Sequence, residues 1–394
     1  MARFATDLGP AASAPAVLRA LDQRAADAGI APPAGLIGDW LDSSAVLAPS
    51  VAIAEGLSIP DALSGWWLGA YRFDGGVVGG VADEILRLDR HGHWWYESAS
   101  ATAVPDWVGL ALRGAAGSPW SADWAAPPKQ PHLAAIDQCL AAIRAGEVYQ
   151  ACVCTAYRGS LSGTPVDYFA DGADRMSAVK SAYLQGDWGA IASFSPETFV
   201  RRRGDLVESS PIKGTLPAAA DPADLRASVK DVAENIMIVD LVRNDFGRVA
   251  IPGSVTVPEL LTVHPAPGVW HLVSTVQAHL RPSTTDADLI AATFPPASVT
   301  GTPKLRALEL LHGWERQRRD FYCGAIGVAT ADELDLNVAI RTVEIAPDGA
   351  TTLGVGGGIT IDSVPEREWQ ECQDKAASIL GLSAPSRPPT SIGR

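Results

Sequence analysis

The stretch Glu208-Ser209-Ser210-Pro211-Ile212-Lys213-Gly214-Thr215 places a lysine between a proline-led break and a Gly-Thr pair. The residues before it, Asp205 to Ser209, read as a short strand. Pro211 fixes φ and withholds a donor, so the ladder is expected to end there. Gly214 lets the backbone come close to whatever lies beyond it. A lysine at such a strand-to-loop junction can point into a cleft as an anchor for an anion. With its amine desolvated or beside another cation, it becomes a nucleophile instead. For a lone lysine the ordinary reading is a solvated surface position.

Outward from this stretch the chain has no internal repeat. To about residue 128, strand-like pieces such as Ala45-Val46-Leu47-Ala48 and Val77-Val78-Gly79-Gly80-Val81 are separated by Gly and Pro. Trp66, Trp67, Trp94 and Trp95 fall here and are expected to pack in a core. Trp124 to Lys129 reads as a connector. Beyond it, His132 to Ala145 has helical spacing with Gly146 as its C-cap, and Glu147 to Tyr157 reads as a strand. Lys230 to Arg243 and Pro365 to Leu380 read as helices, Phe321 to Ala329 and Val338 to Ile345 as strands. This mixture predicts an α+β protein with largely antiparallel sheets.

The 394 residues, 47% hydrophobic and 19% charged, are enough for a large buried core. The net charge of -14 argues against nucleic acid, whose phosphates need a basic face. It leaves room for a basic pocket that takes a small anion, and it supplies carboxylates for a divalent cation. No apolar run approaches the roughly 18–20 residues that span a bilayer. The segment Met1 to Asp7 lacks an apolar signal core, so a cytoplasmic protein with no membrane association is expected. The five cysteines form no CxxC pair, and Cys152 and Cys154 fall on one side of a strand-like run. Reduced, buried thiols are expected.

Two helical segments carry acids on one face. Asp231 and Glu234 stand at i and i+3, as do Glu368 and Glu371, with Lys375 one turn further on. Two facing acidic helices would suit Mg2+, which takes one or two carboxylates and completes its shell with water and substrate oxygens. Solvated helix faces are the plainer reading, although the greasy run Ile236 to Val239 keeps the first helix from being freely exposed. His271 within a strand and Arg341 at the end of an apolar run are polar residues among apolar neighbours. Gly354-Val355-Gly356-Gly357-Gly358 reads as a glycine-rich turn that could offer N–H groups to an anion.

Taken together, residues of about 130 to 381 resemble the chorismate-utilising enzymes, among them anthranilate synthase, aminodeoxychorismate synthase, isochorismate synthase and salicylate synthase. The resemblance rests on Gly146-Glu147-Val148-Tyr149-Gln150, Ser195-Pro196-Glu197, Pro211 to Thr215 and Ala233 to Leu241. It continues through His271 to Thr275, Ser298 to Lys304, Tyr322 to Gly327 and Ile340-Arg341-Thr342. It implies a four-layer α/β/β/α sandwich of the anthranilate synthase component I type, with two large, mostly antiparallel sheets and outer helices. Residues 1–128 would add strands to the sandwich, 129–382 would form the chorismate-binding catalytic domain, and 383–394 would be a loose tail.

The resemblance also implies chemistry. Water-using members carry a general-base lysine at the position of Gln150, so glutamine there implies ammonia as the nucleophile. Anthranilate synthases usually carry alanine at the position of Lys213, whereas the aminodeoxychorismate synthase branch carries lysine. That branch is the one this chain resembles, and its product leads to para-aminobenzoate and folate. Lys213 would form a covalent intermediate and Glu197 would be the general acid. Glu234 and Glu371 would hold Mg2+, with Asp231 and Glu368 placing its waters. Gly214, Thr215, His271, Thr300, Tyr322, Arg341, Gly356, Gly357 and Lys375 would bind chorismate. A separate glutamine amidotransferase would supply the ammonia. Ala297 and Ala218 depart from the family's usual glycine and arginine. The alternatives are an anthranilate synthase component I or a catalytically silent chorismate-binding subunit.

Overall fold

The computed structural model describes residues 4–100, 103–266 and 268–382; the expected tail at 383–394 lies outside them. Its strands form a twelve-stranded and a ten-stranded sheet, and every strand pairing within them is antiparallel among the described residues. Apolar side chains alternate across both faces, so the sheets pack on one another through Leu36, Trp40, Trp66, Leu68 and Ile326. Helices cover the outer faces. Ala14–Ala28, Pro165–Met176 and Pro365–Leu380 lie over the larger sheet, and Val229–Gly247 packs on the smaller one. The result is α+β. Trp66, Trp67 and Trp94 are fully buried packing residues. No helix among the described residues is long and apolar enough to cross a membrane.

Strands from the first 128 residues enter both sheets. Ala34–Trp40 pairs with Lys180–Gly186 in the larger sheet, and Trp66–Tyr71 pairs with Ala325–Ala329 in the smaller. A buried ion pair tethers the layers, with Lys180 Nζ 2.6 Å from Asp335 Oδ1. Arg201 reaches the other oxygen of Asp335, and the Lys180 ammonium lies over the Trp40 ring.

Twice the chain steps from one sheet to the other near the same place. Gly189–Ser195 belongs to the larger sheet and Thr198–Arg203 to the smaller, so Pro196 and Glu197 form the first crossing. Glu333–Val338 and Thr342–Ile345 flank the second, where Arg341 adopts φ 51°. That left-handed conformation is costly for a long side chain and is held by its neighbours. Here the Arg341 carbonyl accepts from Phe194 N–H and the Glu197 carbonyl from Val338 N–H. The run Val338 to Ile345, read as one strand from its apolar content, is therefore broken at Arg341.

Two further expectations change. Lys213 is not at a strand end: Pro211 only interrupts, and the strand resumes over Ile212–Pro217 against Val269–His279. A bulge at Gly214, with φ 75°, lets the strand curl toward Asp231. Gly354 to Gly358 is not a turn but part of the largely buried strand Ala350–Ile359, paired with Gln150–Ser162. The glycines are there because neighbours come too close for side chains. A Cβ at Gly354 would lie 2.1 Å from Tyr322 Cγ.

Candidate active site

A cavity of about 580 Å³ opens where the two crossings, the bulged strand and the glycine-bare strand meet. Its volume suits a small-molecule ligand. On one wall, Lys213 projects from the bulged strand and its ammonium donates to the carbonyl oxygen of Ser298 at 3.3 Å. Glu197 faces the same turn. Its carboxyl accepts from the Ser298 hydroxyl and the Ile212 N–H, yet burial pushes it above the usual carboxylate range against the pull of Lys213. The side chain is 6% exposed. A carboxyl whose pKa is raised in this way is better suited to donate a proton.

On another wall Arg341 reaches the cavity from its strained crossing. Burial depresses its guanidinium, and no carboxylate offsets that among the described residues. An arginine with no carboxylate partner among the described residues can receive an incoming anion. His271 stands close by, with Nδ1 3.0 Å from Thr215 Oγ1. Burial and Arg341 lower its pKa, favouring the neutral ring. Tyr322, buried against Gly354, completes this end.

The acids stand opposite. Ser228 caps helix Val229–Gly247 by accepting from Asp231 N–H, which sets Lys230, Asp231 and Glu234 on its first turns. Helix Pro365–Leu380 begins at a proline in its first turn and presents Glu368, Glu371 and Lys375. Lys375 pairs with Glu371 at 2.7 Å and donates to the Gly356 carbonyl at 2.9 Å. Burial raises the Glu371 carboxyl, but Lys375, helped by Lys230 and Lys213, outweighs it and the net shift is downward. Glu234 shifts upward through burial, against Lys213 and Lys230. Glu234 Oε1 and Glu368 Oε2 are buried without a hydrogen-bond partner.

Among the described residues no group of three or more His, Cys, Asp or Glu side chains converges closely enough to hold a metal by itself. The two orphaned carboxylate oxygens nevertheless fit a hard cation that draws its remaining ligands from water and substrate.

Most of the expected site residues meet here. Glu197, Lys213, Gly214, Thr215, Asp231 and Glu234 line the cavity, as do His271, Tyr322, Arg341, Gly356, Gly357, Glu371 and Lys375. Three stand apart from its wall. The Thr300 hydroxyl is spent on the carbonyls of Pro296 and Ala297, so it does not line the pocket. Gln150 is buried and packs over Gly358 beside Glu234, one layer back. Glu368 lies behind Gly357, bonded to Ser363 and Lys230. Sequence reasoning missed Ser298, Lys230 and Asp374, all on the wall. Lys230 had a signal, its i,i+4 spacing to Glu234. Cys152 and Cys154 do share a face, with sulfurs 3.8 Å apart, and all five cysteines are buried and free.

Residues 114–381 match the family model described as chorismate binding enzyme. The chain belongs to that family. Among the relatives of this chorismate binding enzyme is aminodeoxychorismate synthase component 1 of Salmonella typhimurium, 45% identical over 60% of this chain and 54% of that protein. Anthranilate synthase component 1 3 of Haloarcula marismortui is 39% identical over 60% of this chain and 49% of its own. The chain thus spans about half the length of the curated relatives it matches. Solved structures share the fold. Anthranilate synthase component I from Streptococcus pneumoniae superposes with TM-score 0.70 at 24% identity, covering 82% of each chain. The menaquinone-specific isochorismate synthase MenF from Escherichia coli gives 0.75 at 19% identity, over 96% of this chain and 95% of its own.

Proposed function

We propose that this chorismate binding enzyme acts as an aminodeoxychorismate synthase component I. It would form 4-amino-4-deoxychorismate from chorismate and ammonia, a step toward para-aminobenzoate and folate. The observation that carries the reading is Lys213, aimed into the cavity beside Glu197, whose carboxyl burial shifts above the usual carboxylate range.

The ring hydroxyl of chorismate is a poor leaving group until it receives a proton. Once the Lys213 ammonium has lost a proton to solvent, its amine attacks C2 while Glu197 gives its own proton to the C4 oxygen. Both ring double bonds shift and water departs. Ammonia then bonds to C4, both double bonds shift back, the Lys213–C2 bond breaks, and the new amine's surplus proton returns to Glu197, so the net change is hydroxyl for amine. Two displacements replace one difficult one and preserve the configuration at C4. Arg341 and Tyr322 bind the enolpyruvyl carboxylate, and Lys375 with the Gly356 and Gly357 backbone binds the other end.

Glu234 and Glu371 would hold Mg2+, with Asp231 and Glu368 placing its waters. Bound there, the cation would neutralise repulsion between these acids and the substrate's ring carboxylate. A glutamine amidotransferase partner would deliver the ammonia.

The relatives named anthranilate synthase give the second reading, in which the same amination ends in loss of pyruvate. Incubation with chorismate, Mg2+ and an ammonium salt separates the two. Aminodeoxychorismate is expected by chromatography and mass. Fluorescent anthranilate formed directly would overturn the proposal, and no turnover of chorismate would point to the silent subunit.

A further inference from the structure

Lys230 joins the two acidic helices, its ammonium 3.2 Å from Glu368 Oε1 and 3.9 Å from Glu234 Oε1. Those glutamates are 3% and 7% exposed. Buried carboxylates of this kind are costly unless a cation stays with them. The lysine satisfies the pair only in part, since Glu368 Oε2 and Glu234 Oε1 still lack a hydrogen-bond partner. Its own side chain is 43% exposed, on a long flexible stem with a path to solvent. Glu371 is served separately, by Lys375 on its own helix.

Resting on the metal reading above, we propose that Lys230 is a built-in counter-ion. Between Glu368 and Glu234 in the metal-free protein, it gives up Glu234 when a divalent cation enters between Glu234 and Glu371. An ammonium and a divalent cation drawn to the same buried Glu234 carboxylate repel each other strongly. Lys230 therefore lowers the metal affinity while sparing the empty site the cost of uncompensated acids.

The test titrates Mg2+ into the full chain by calorimetry, for the wild type and for Lys230→Met. The variant should bind Mg2+ about tenfold more tightly, a coupling of ordinary size between competing ligands. Equal or weaker affinity in the variant overturns the proposal. In the wild type, an amine-modifying reagent should label Lys230 faster with Mg2+ present, as read by peptide mass spectrometry. Labelling of Lys230 that does not change while Mg2+ is bound also overturns it, and this arm stands if the variant fails to fold. Binding of Mg2+ to the wild type without either effect rejects the counter-ion role alone. Absence of Mg2+ binding to both proteins rejects the metal reading and this proposal with it.

Discussion

The ammonium of Lys213 donates to the backbone carbonyl of Ser298, 3.3 Å away, and the hydroxyl of that same serine donates to Glu197. One residue of a buried turn thereby fixes the separation between the proposed nucleophile and the proposed acid. The carbonyl holds the lysine without neutralising it, leaving the amine available to a substrate. Replacing Lys213 by Met should lower kcat by about a thousandfold or more, as for removal of a covalent catalyst. Aminodeoxychorismate formed at the wild-type rate would sink the covalent route.

Glu197→Gln keeps the shape but has no acidic proton to give, so kcat should fall by about 10²–10⁴. The pH dependence follows from the direction of the shift. Burial raises the Glu197 carboxyl, so kcat should fall as pH climbs through that raised value. Stability has the same sign. The contribution is complete below the ordinary carboxylate value and is lost as pH rises through the raised one. Glu197→Gln should flatten both profiles across that window, measured by rate and by denaturant midpoint.

Arg341→Leu removes a charge that has no carboxylate partner among the described residues, so the fold should lose little while the proposed substrate anchor is lost. A charge-assisted contact is worth about 1.5–3 kcal/mol, or roughly 10- to 100-fold in kcat/KM. Most of it should appear in KM. A fall in kcat with KM unchanged would place Arg341 elsewhere in the reaction.

Lys180→Met leaves Asp335 buried with Arg201 as its remaining cation. Breaking one partner of such a pair costs about 3–5 kcal/mol, and the retained arginine favours the lower end. Urea unfolding should show a lower midpoint at unchanged slope.

The acid pairs, the helices bearing them and the polar strand residues were legible because i,i+3 spacing and apolar alternation are local properties. The sandwich was not visible in periodicity and came through the resemblance carried by the motif blocks. Local rules failed where two layers press together. Proline and glycine read as punctuation at Pro211 and Gly354, yet the strands run on, because the partner strand and the Tyr322 ring impose the geometry. Ser298 was illegible for a different reason. Its part is played largely by a main-chain carbonyl, which every residue possesses, and only the turn aims it.

The interleaving of early and late strands also governs how the chain is made. Trp66–Tyr71 finds its partner in Ala325–Ala329, which leaves the ribosome far later. At about 5–20 residues per second, the first strand waits on the order of tens of seconds with its tryptophans uncovered. The smaller sheet therefore closes only after nearly the whole chain has been made.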